Sequence, residues 1–141
     1  MIVGSQAAQL PAPQLQPPPL ERPGLIWDQV EGINLAKIAN MPPQREWRQF
    51  LDHLRPSVRP LVLWIRGRVW IGSAGRSELA SAIGSSRVGL VVSDDIGRGL
   101  ATALRWLGVD VDAYGIADLY RLEAKLNLDP GTANAMLQRV Y

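Results

Sequence analysis

The alternation of apolar and polar positions is clearest from residue 61 onward. LVLWIRG at 61–67 is dense in branched and aromatic residues and predicts a strand, and RVGLVVS at 87–93 predicts a second, buried one. VDVDAYG at 109–115 alternates apolar with acidic residues, which is typical of a strand with one solvent-facing side. Helical periods lie between and after these strands. The order predicts an α/β fold with a small mixed sheet, at least partly parallel, flanked by short helices.

Apolar stripes and end signals place the helices. The segment PQREWRQFLDHLR at 43–55 carries one apolar helical face, formed by Trp47, Phe50, Leu51 and Leu54. A second helix is expected to begin near Ser77 as its N-cap and to stop at Gly84. A third is expected over 96–107, closed by Gly108. Between the first two helices, RVWIG at 68–72 is expected to pair with the strand at 61–67 or to continue it.

The first 41 residues are less regular. Residues 1–23 hold six of the eleven prolines and four glutamines, so we predict a flexible, Pro/Gln-rich arm, with residues 24–141 as a single α/β domain. LIWDQVEGINLAKIANM at 25–41 mixes two periods. It suits a helix broken by Gly32, and LIWDQV alone also suits a short strand.

Composition removes several classes of site and of location. The chain has no cysteine and one histidine, which excludes disulfides, thiolate metal sites and a histidine-rich metal cage. The apolar runs fall short of the roughly 20 residues that cross a bilayer, and the N-terminus lacks the pattern of a signal peptide. We therefore expect a cytoplasmic protein without a membrane partner. A net charge of +2 does not demand an acidic partner, and nothing in the sequence fixes the oligomeric state.

Two adjacent carboxylates stand where the second strand gives way to a helix. Asp94 and Asp95 follow GLVVS directly, at a position where open α/β sheets often bind ligands. An aspartate there also accepts hydrogen bonds from the free N–H groups of the helix and favours its positive end. We expect capping, and therefore no cofactor. The alternative is a Mg²⁺ ion held by the pair, which would need further carboxylates nearby.

Arginines and tryptophans are interleaved between residues 45 and 70. The chain has 13 arginines against 2 lysines, and arginine makes bidentate contacts with phosphate and stacks on aromatic rings. Such a mixture suits a nucleic-acid backbone with exposed bases, and it equally suits a protein interface. The predicted partner-binding residues are Arg45, Trp47, Arg48, Arg55, Arg59, Trp64, Arg66, Arg68 and Trp70.

The element order from residue 61 resembles the Mrr-type branch of the restriction-endonuclease-like fold. LVLWIRGRVW stands at the core strand, VGLVVSDD resembles the second strand, and AYGIADLYRL is similar to the closing element. In that family the core strand carries an acid-or-glutamine–x–lysine pair. Here the corresponding place reads Trp64-Ile65-Arg66. The resemblance therefore implies a version without the means to hold magnesium and activate a water molecule.

Two functions follow as expectations. The first is a non-catalytic binding protein, an adaptor or regulator that docks on nucleic acid or on a nucleic-acid-processing assembly such as a replication or transcription complex. The Arg/Trp segment would supply the contact, and the N-terminal arm could reach a second surface. The alternative is a metal-dependent nuclease that uses Asp94 and Asp95.

Overall fold

The computed structural model describes residues 24–67 and 69–140. The predicted N-terminal arm, residues 1–23, lies outside them. The elements, in chain order, are strands β1 (Leu25–Val30) and β2 (Ile33–Ile38), helix α1 (Gln44–Leu54), β3 (Leu61–Ile65), α2 (Ser73–Ile83), β4 (Arg87–Val91), α3 (Asp95–Trp106), β5 (Asp110–Tyr114), a 3₁₀ turn (Ile116–Asp118), α4 (Leu119–Leu126) and α5 (Thr132–Val140).

All five strands form one mixed sheet, as the sequence predicted. Their order in the sheet is β1-β2-β3-β4-β5, with β1 antiparallel to β2 and every later neighbour parallel. Each parallel strand is added on the same side of the last, so right-handed crossovers place the connecting helices on one face. Helices α1, α2 and α3 form this three-helix layer, and α4 and α5 form a two-helix layer on the opposite face.

The first two strands form a hairpin, so the helical interpretation of residues 25–41 is wrong and the strand alternative for LIWDQV is confirmed. The two-residue turn, Glu31 and Gly32, has φ of 47° and 88°. Positive φ at both central positions is the geometry of a type I′ turn, whose twist matches that of the flanking strands. Glutamate at the first turn position concealed this signal, because Asn or Asp usually stands there.

Side chains from the central strands alternate between the two faces and are buried on both. In β3, Leu61, Leu63 and Ile65 pack against the three-helix layer, whereas Val62 and Trp64 pack against the two-helix layer. A central parallel strand covered by helices on both sides is apolar throughout rather than alternating with polar residues. The continuous apolar run LVLWI therefore follows from the position of β3 in the middle of the sheet.

One buried polar residue at the start of β2 obtains its partners from α1 and the loop after it. The Asn34 amide donates to the Ser57 hydroxyl at 2.9 Å, and its carbonyl oxygen lies 3.2 Å from His53 Nε2. Asn34 is almost completely buried, so losing these bonds would leave an unsatisfied amide in the core. The single histidine of the chain therefore has a structural contact that its sequence position did not reveal.

The C-terminal ends of two helices were predicted correctly from glycines, whereas one predicted N-cap was not. Gly84 and Gly108 follow α2 and α3 with φ of 59° and 92°, which confirms both as helix ends. The predicted N-cap Ser77 is wrong, because α2 begins one turn earlier at Ser73, after Gly72. The described residues of 66–72 form no strand, so the predicted partner or continuation of β3 is absent there. In the part of the chain that the structure describes, no helix has the length and apolar character to span a bilayer.

Candidate functional site

Asp94 caps α3. It has extended backbone angles at the N-cap position, and its Oδ1 accepts a hydrogen bond of 3.0 Å from the backbone N–H of Gly97. This bond satisfies one of the free N–H groups at the start of a helix, and the carboxylate also faces the positive end of the helix dipole. The predicted capping role of Asp94 is confirmed.

The donors for the magnesium alternative are not assembled around this pair. Among the described residues, no three His, Asp or Glu side chains come together as a metal site would require. Asp95 occupies the first turn of α3 and lies at the mouth of a groove with Arg76 and Trp70. Asp110 and Asp112, two of the acids that could have joined the pair, lie beside the cations Arg87 and Lys125.

Two of the three tryptophans predicted to contact a partner are in the core. Trp47 and Trp64 are each 1% exposed, on opposite faces of the sheet, whereas Trp70 is 70% exposed. The prediction that these indoles share an outward surface is therefore wrong. Trp47 lies on the apolar stripe of α1 and donates from Nε1 to Glu78 at 3.1 Å, which satisfies its N–H inside the layer.

The predicted arginines divide into separate places. Arg45, Arg48 and Arg55 lie on the exposed side of α1, where Asp52 is 3.7 Å from Arg55, and Arg59 is exposed in the following loop. Arg66 lies elsewhere, beyond the end of β3, and Arg68 lies outside the described residues. The basic stripe on α1 therefore has neither of the buried tryptophans beside it.

A groove between α2 and α3 brings exposed tryptophans together instead. Trp70 and Ile96 lie near one end, and Trp106 and Leu107 lie at the other, with Trp106 87% exposed. Gly99 and Ala103 line both of its adjoining depressions, which measure about 330 and 360 Å³. From residue 96 to residue 107 the helix rises about 16 Å. We call this surface the tryptophan groove, defined by Trp70, Ser73, Arg76, Ser77, Ile96, Gly99, Ala103, Trp106 and Leu107.

Arg76 holds one end of the tryptophan groove in shape. Its guanidinium donates to the Ile71 carbonyl at 2.9 Å and lies 5.9 Å from the centroid of the Trp70 ring. This cation–π contact positions an indole that is otherwise largely open to solvent. The cation is thereby engaged within the protein, and the remaining lining is apolar or small, with Asp95 at the mouth.

A second concavity, the strand-end crevice, lies over the carboxyl ends of β3, β4 and β5. Its volume is about 320 Å³. The loop after β4 leads to the three-helix layer and the loop after β5 leads to the two-helix layer, so the crevice opens where successive connections part to opposite faces. It is lined by Trp64, Ile65, Arg66, Gly67, Val91, Val92, Ser93, Arg98, Gly115, Ile116 and Ala117.

A polar groove of about 450 Å³ adjoins this crevice and shares Arg98 and Gly115 with it. There Asp112 lies 3.0 Å from Lys125 Nζ and 3.6 Å from Arg105, and the hydrogen bond to Asp112 raises the pKa of Lys125. Burial, with the nearby Asp112 carboxylate, raises the pKa of the Tyr114 phenol. This end of the sheet therefore carries charges of both signs beside the crevice.

Sequence reasoning named Trp70, Trp64 and Arg66, but it missed Trp106 in the tryptophan groove and Arg98 in the strand-end crevice. The buried stripe of α3 runs through Leu100, Ala101 and Leu104, and Trp106 falls two residues past it, on the other side of the helix. The helical period could thus have identified Trp106 as exposed. No sequence signal predicts that Arg66 and Arg98 line the same crevice, because the loop after β3 and helix α3 meet only through tertiary packing.

Comparisons of the chain with protein-family models, curated proteins and solved structures find no match.

Proposed function

We propose that this protein is a non-catalytic adaptor, and that it binds a partner protein through the tryptophan groove. The observation that carries the proposal is Trp106, a large indole with 87% of its surface exposed, at the end of a groove that also presents Trp70 and Leu107. Exposed apolar clusters on a protein surface mark sites of interaction, and tryptophan dominates the energy of protein interfaces.

The chemistry of the groove favours an apolar protein segment over nucleic acid. Its cation, Arg76, is engaged by the Ile71 carbonyl and the Trp70 ring, and Asp95 adds a negative charge at the mouth. Among the described residues of the groove, a phosphate backbone would find no row of available cations. A segment that presents apolar side chains every three or four residues would fill the depressions between the two tryptophans.

The setting that the arginine-rich sequence suggests, a cytoplasmic nucleic-acid-processing assembly, fits an adaptor of this kind. A non-catalytic relative of the Mrr-type endonucleases is our hypothesis for its origin. The resemblance is in the order of elements, and it breaks at the catalytic place. The non-catalytic part of the hypothesis rests on Trp64, which is buried where the family has an acid, and on Arg66, which stands where the family has lysine.

Affinity capture with single variants tests the proposal. The full chain is used as bait in lysate from its native source, as wild type and as Trp106→Ala, Trp70→Ala and Tyr120→Ala. Tyr120 is an exposed aromatic residue on α4, in the other layer, and serves as the matched control. We expect a protein that wild type and Tyr120→Ala both retain, and that both tryptophan variants lose while keeping their far-UV circular dichroism.

Two results would overturn this proposal. If both tryptophan variants retain every captured protein, the groove is not the contact surface. If nuclease treatment of the lysate releases the captured proteins, and the double variant Arg45→Ala/Arg48→Ala does the same, the contact is nucleic acid on the basic side of α1. Nucleic-acid binding would then replace the proposed protein interface.

A further inference from the structure

The strand-end crevice is formed by backbone that the sheet itself holds in place. The Arg66 N–H donates to the Ile38 carbonyl at 2.9 Å, and the Val92 N–H donates to the Tyr114 carbonyl at 2.9 Å. Each bond continues a strand ladder one residue past the end of its strand. The loops that carry the crevice walls therefore start from fixed positions, as in a pre-formed ligand site.

Among the described lining residues of this crevice, the charged side chains are two arginines. They are Arg66, beyond the end of β3, and Arg98, in the first turn of α3, and the Ser93 hydroxyl adds a polar group. The neighbouring Asp94 carboxylate accepts a hydrogen bond from the Gly97 N–H. Two arginines from different elements that line one crevice suit a phosphate group, because guanidinium makes charge-assisted, bidentate hydrogen bonds to phosphate.

Most of the other described lining residues are apolar. Trp64, Ile65 and Val91 are almost completely buried beneath the crevice, whereas Ile116 is half exposed. A volume of about 320 Å³ lies at the small end of the range for sites that hold small molecules. Ile116 and Ala117 are the exposed apolar residues among the described lining, so a ligand whose body covers them would remove apolar surface from water.

We propose that the strand-end crevice binds a small organic phosphate. Arg66 and Arg98 hold the phosphate group, and the body of the ligand packs against Ile116 and Ala117. The crevice lies where consecutive strand connections part to opposite faces of the sheet, which is the general location of ligand sites in open α/β sheets. Polar groups on the ligand would extend past Arg98 into the adjoining groove, toward Arg121.

This proposal does not rest on the proposed function. The tryptophan groove is formed by α2 and α3, and none of its residues lines the crevice. The variant Trp106→Ala should therefore leave ligand binding unchanged. A failed affinity capture and a failed titration are separate results.

Isothermal titration calorimetry of the full chain tests the site with three probes: AMP, inorganic phosphate and adenosine. We expect AMP to bind in the micromolar to millimolar range, and adenosine, which lacks the phosphate, to bind at least about tenfold more weakly. Inorganic phosphate should compete with AMP. Arg98→Ala and Arg66→Gln should each weaken AMP binding about tenfold, because each removes a charge-assisted hydrogen bond.

Arg45→Ala is the matched control, since it removes one exposed arginine from α1, outside the crevice. It should bind AMP as wild type does. The proposal is overturned if no phosphate probe binds at millimolar concentration, if adenosine binds as tightly as AMP, or if AMP affinity survives in both crevice variants. Equal weakening by Arg45→Ala would also overturn it, because that result would indicate a general attraction of the basic protein for anions.

Discussion

Replacing Asp94 separates its capping role from the metal-binding alternative. Asp94→Ala removes the acceptor that lies 3.0 Å from the Gly97 N–H, which leaves this group at the start of α3 without its side-chain partner. Loss of an N-cap acceptor costs about 1 kcal/mol of folding free energy, and loss of the charge near the positive helix end adds about 0.5 kcal/mol. The expected total is about 1.5 kcal/mol.

Asp94→Asn keeps an acceptor of the same shape and loses only the charge. Its expected cost is therefore about 0.5 kcal/mol, a third of the cost for alanine. Asp95→Asn is the control, because Asp95 lies in the first turn of the same helix without the capping position. It loses a charge at a similar place and should behave like Asp94→Asn. In a domain of this size, 1.5 kcal/mol corresponds to a fall in Tm of roughly 6 °C.

Urea denaturation followed by circular dichroism, with and without Mg²⁺, measures these differences. The capping role is refuted if Asp94→Asn is as unstable as Asp94→Ala, because aspartate and asparagine are N-cap acceptors of similar strength, whereas alanine is not an acceptor. It is also refuted if Mg²⁺ stabilises the wild type and both asparagine variants lose that stabilisation. Such a result would restore the carboxylate pair as a metal site and, with it, the nuclease alternative.

Five further variants test the packing of the protein and the ionisation of a buried phenol. A Cβ at Gly97 would lie 2.5 Å from a valine methyl group, so Gly97→Ala should lower the free energy of unfolding by about 1–3 kcal/mol. Gly99 has open space around it, so Gly99→Ala should raise that free energy by about 0.5 kcal/mol or more. Equal urea midpoints for the two variants would contradict this packing. Trp64→Ala should cost about 3–5 kcal/mol and Trp106→Ala less than about 0.5 kcal/mol, so equal thermal stability would be inconsistent with their burial. Burial raises the pKa of Tyr114 above its value in the unfolded chain, so the stability from the neutral phenol is present below pH about 10 and is lost as pH rises through the folded pKa. Tyr114→Phe has no phenol to ionise and should therefore lose less stability than wild type above pH about 10. Parallel stability profiles of the two proteins across this pH range would contradict the argument.

The sequence predicted the strands and helices of the second half because local pattern and tertiary environment agree there. LVLWI is apolar throughout since β3 is covered on both faces, and Leu119, Leu122 and Leu126 form one stripe since α4 lies flat on the sheet. The helix predicted over residues 25–41 disagrees with the structure because of the turn at Glu31 and Gly32. Its φ angles are set by the twist of the hairpin, and the residue type in the first position gave no sign of them.

Candidate site residues were harder to predict because a composition window does not distinguish the inside from the outside of the protein. The mixture of arginine and tryptophan over residues 45–70 predicts Trp47 as a partner-binding residue. The period of its own helix instead places Trp47 on the buried face with Phe50 and Leu54. The same helical period applied to α3 would have predicted that Trp106 is exposed. The placement of Arg66 and Arg98 in one crevice depends on how the loop after β3 meets helix α3, which local patterns do not encode.

The contact between the last helix and the first hairpin has a consequence for how the chain folds as it is made. Val30, Ile33 and Leu35 are covered by Met136 and Val140, and Arg139 bonds Asp28 across 111 positions of sequence. During translation the hairpin leaves the ribosome well before α5, so this apolar side of it has no cover until α5 has emerged. Nascent chains halted before α5 should therefore be the form most dependent on chaperones.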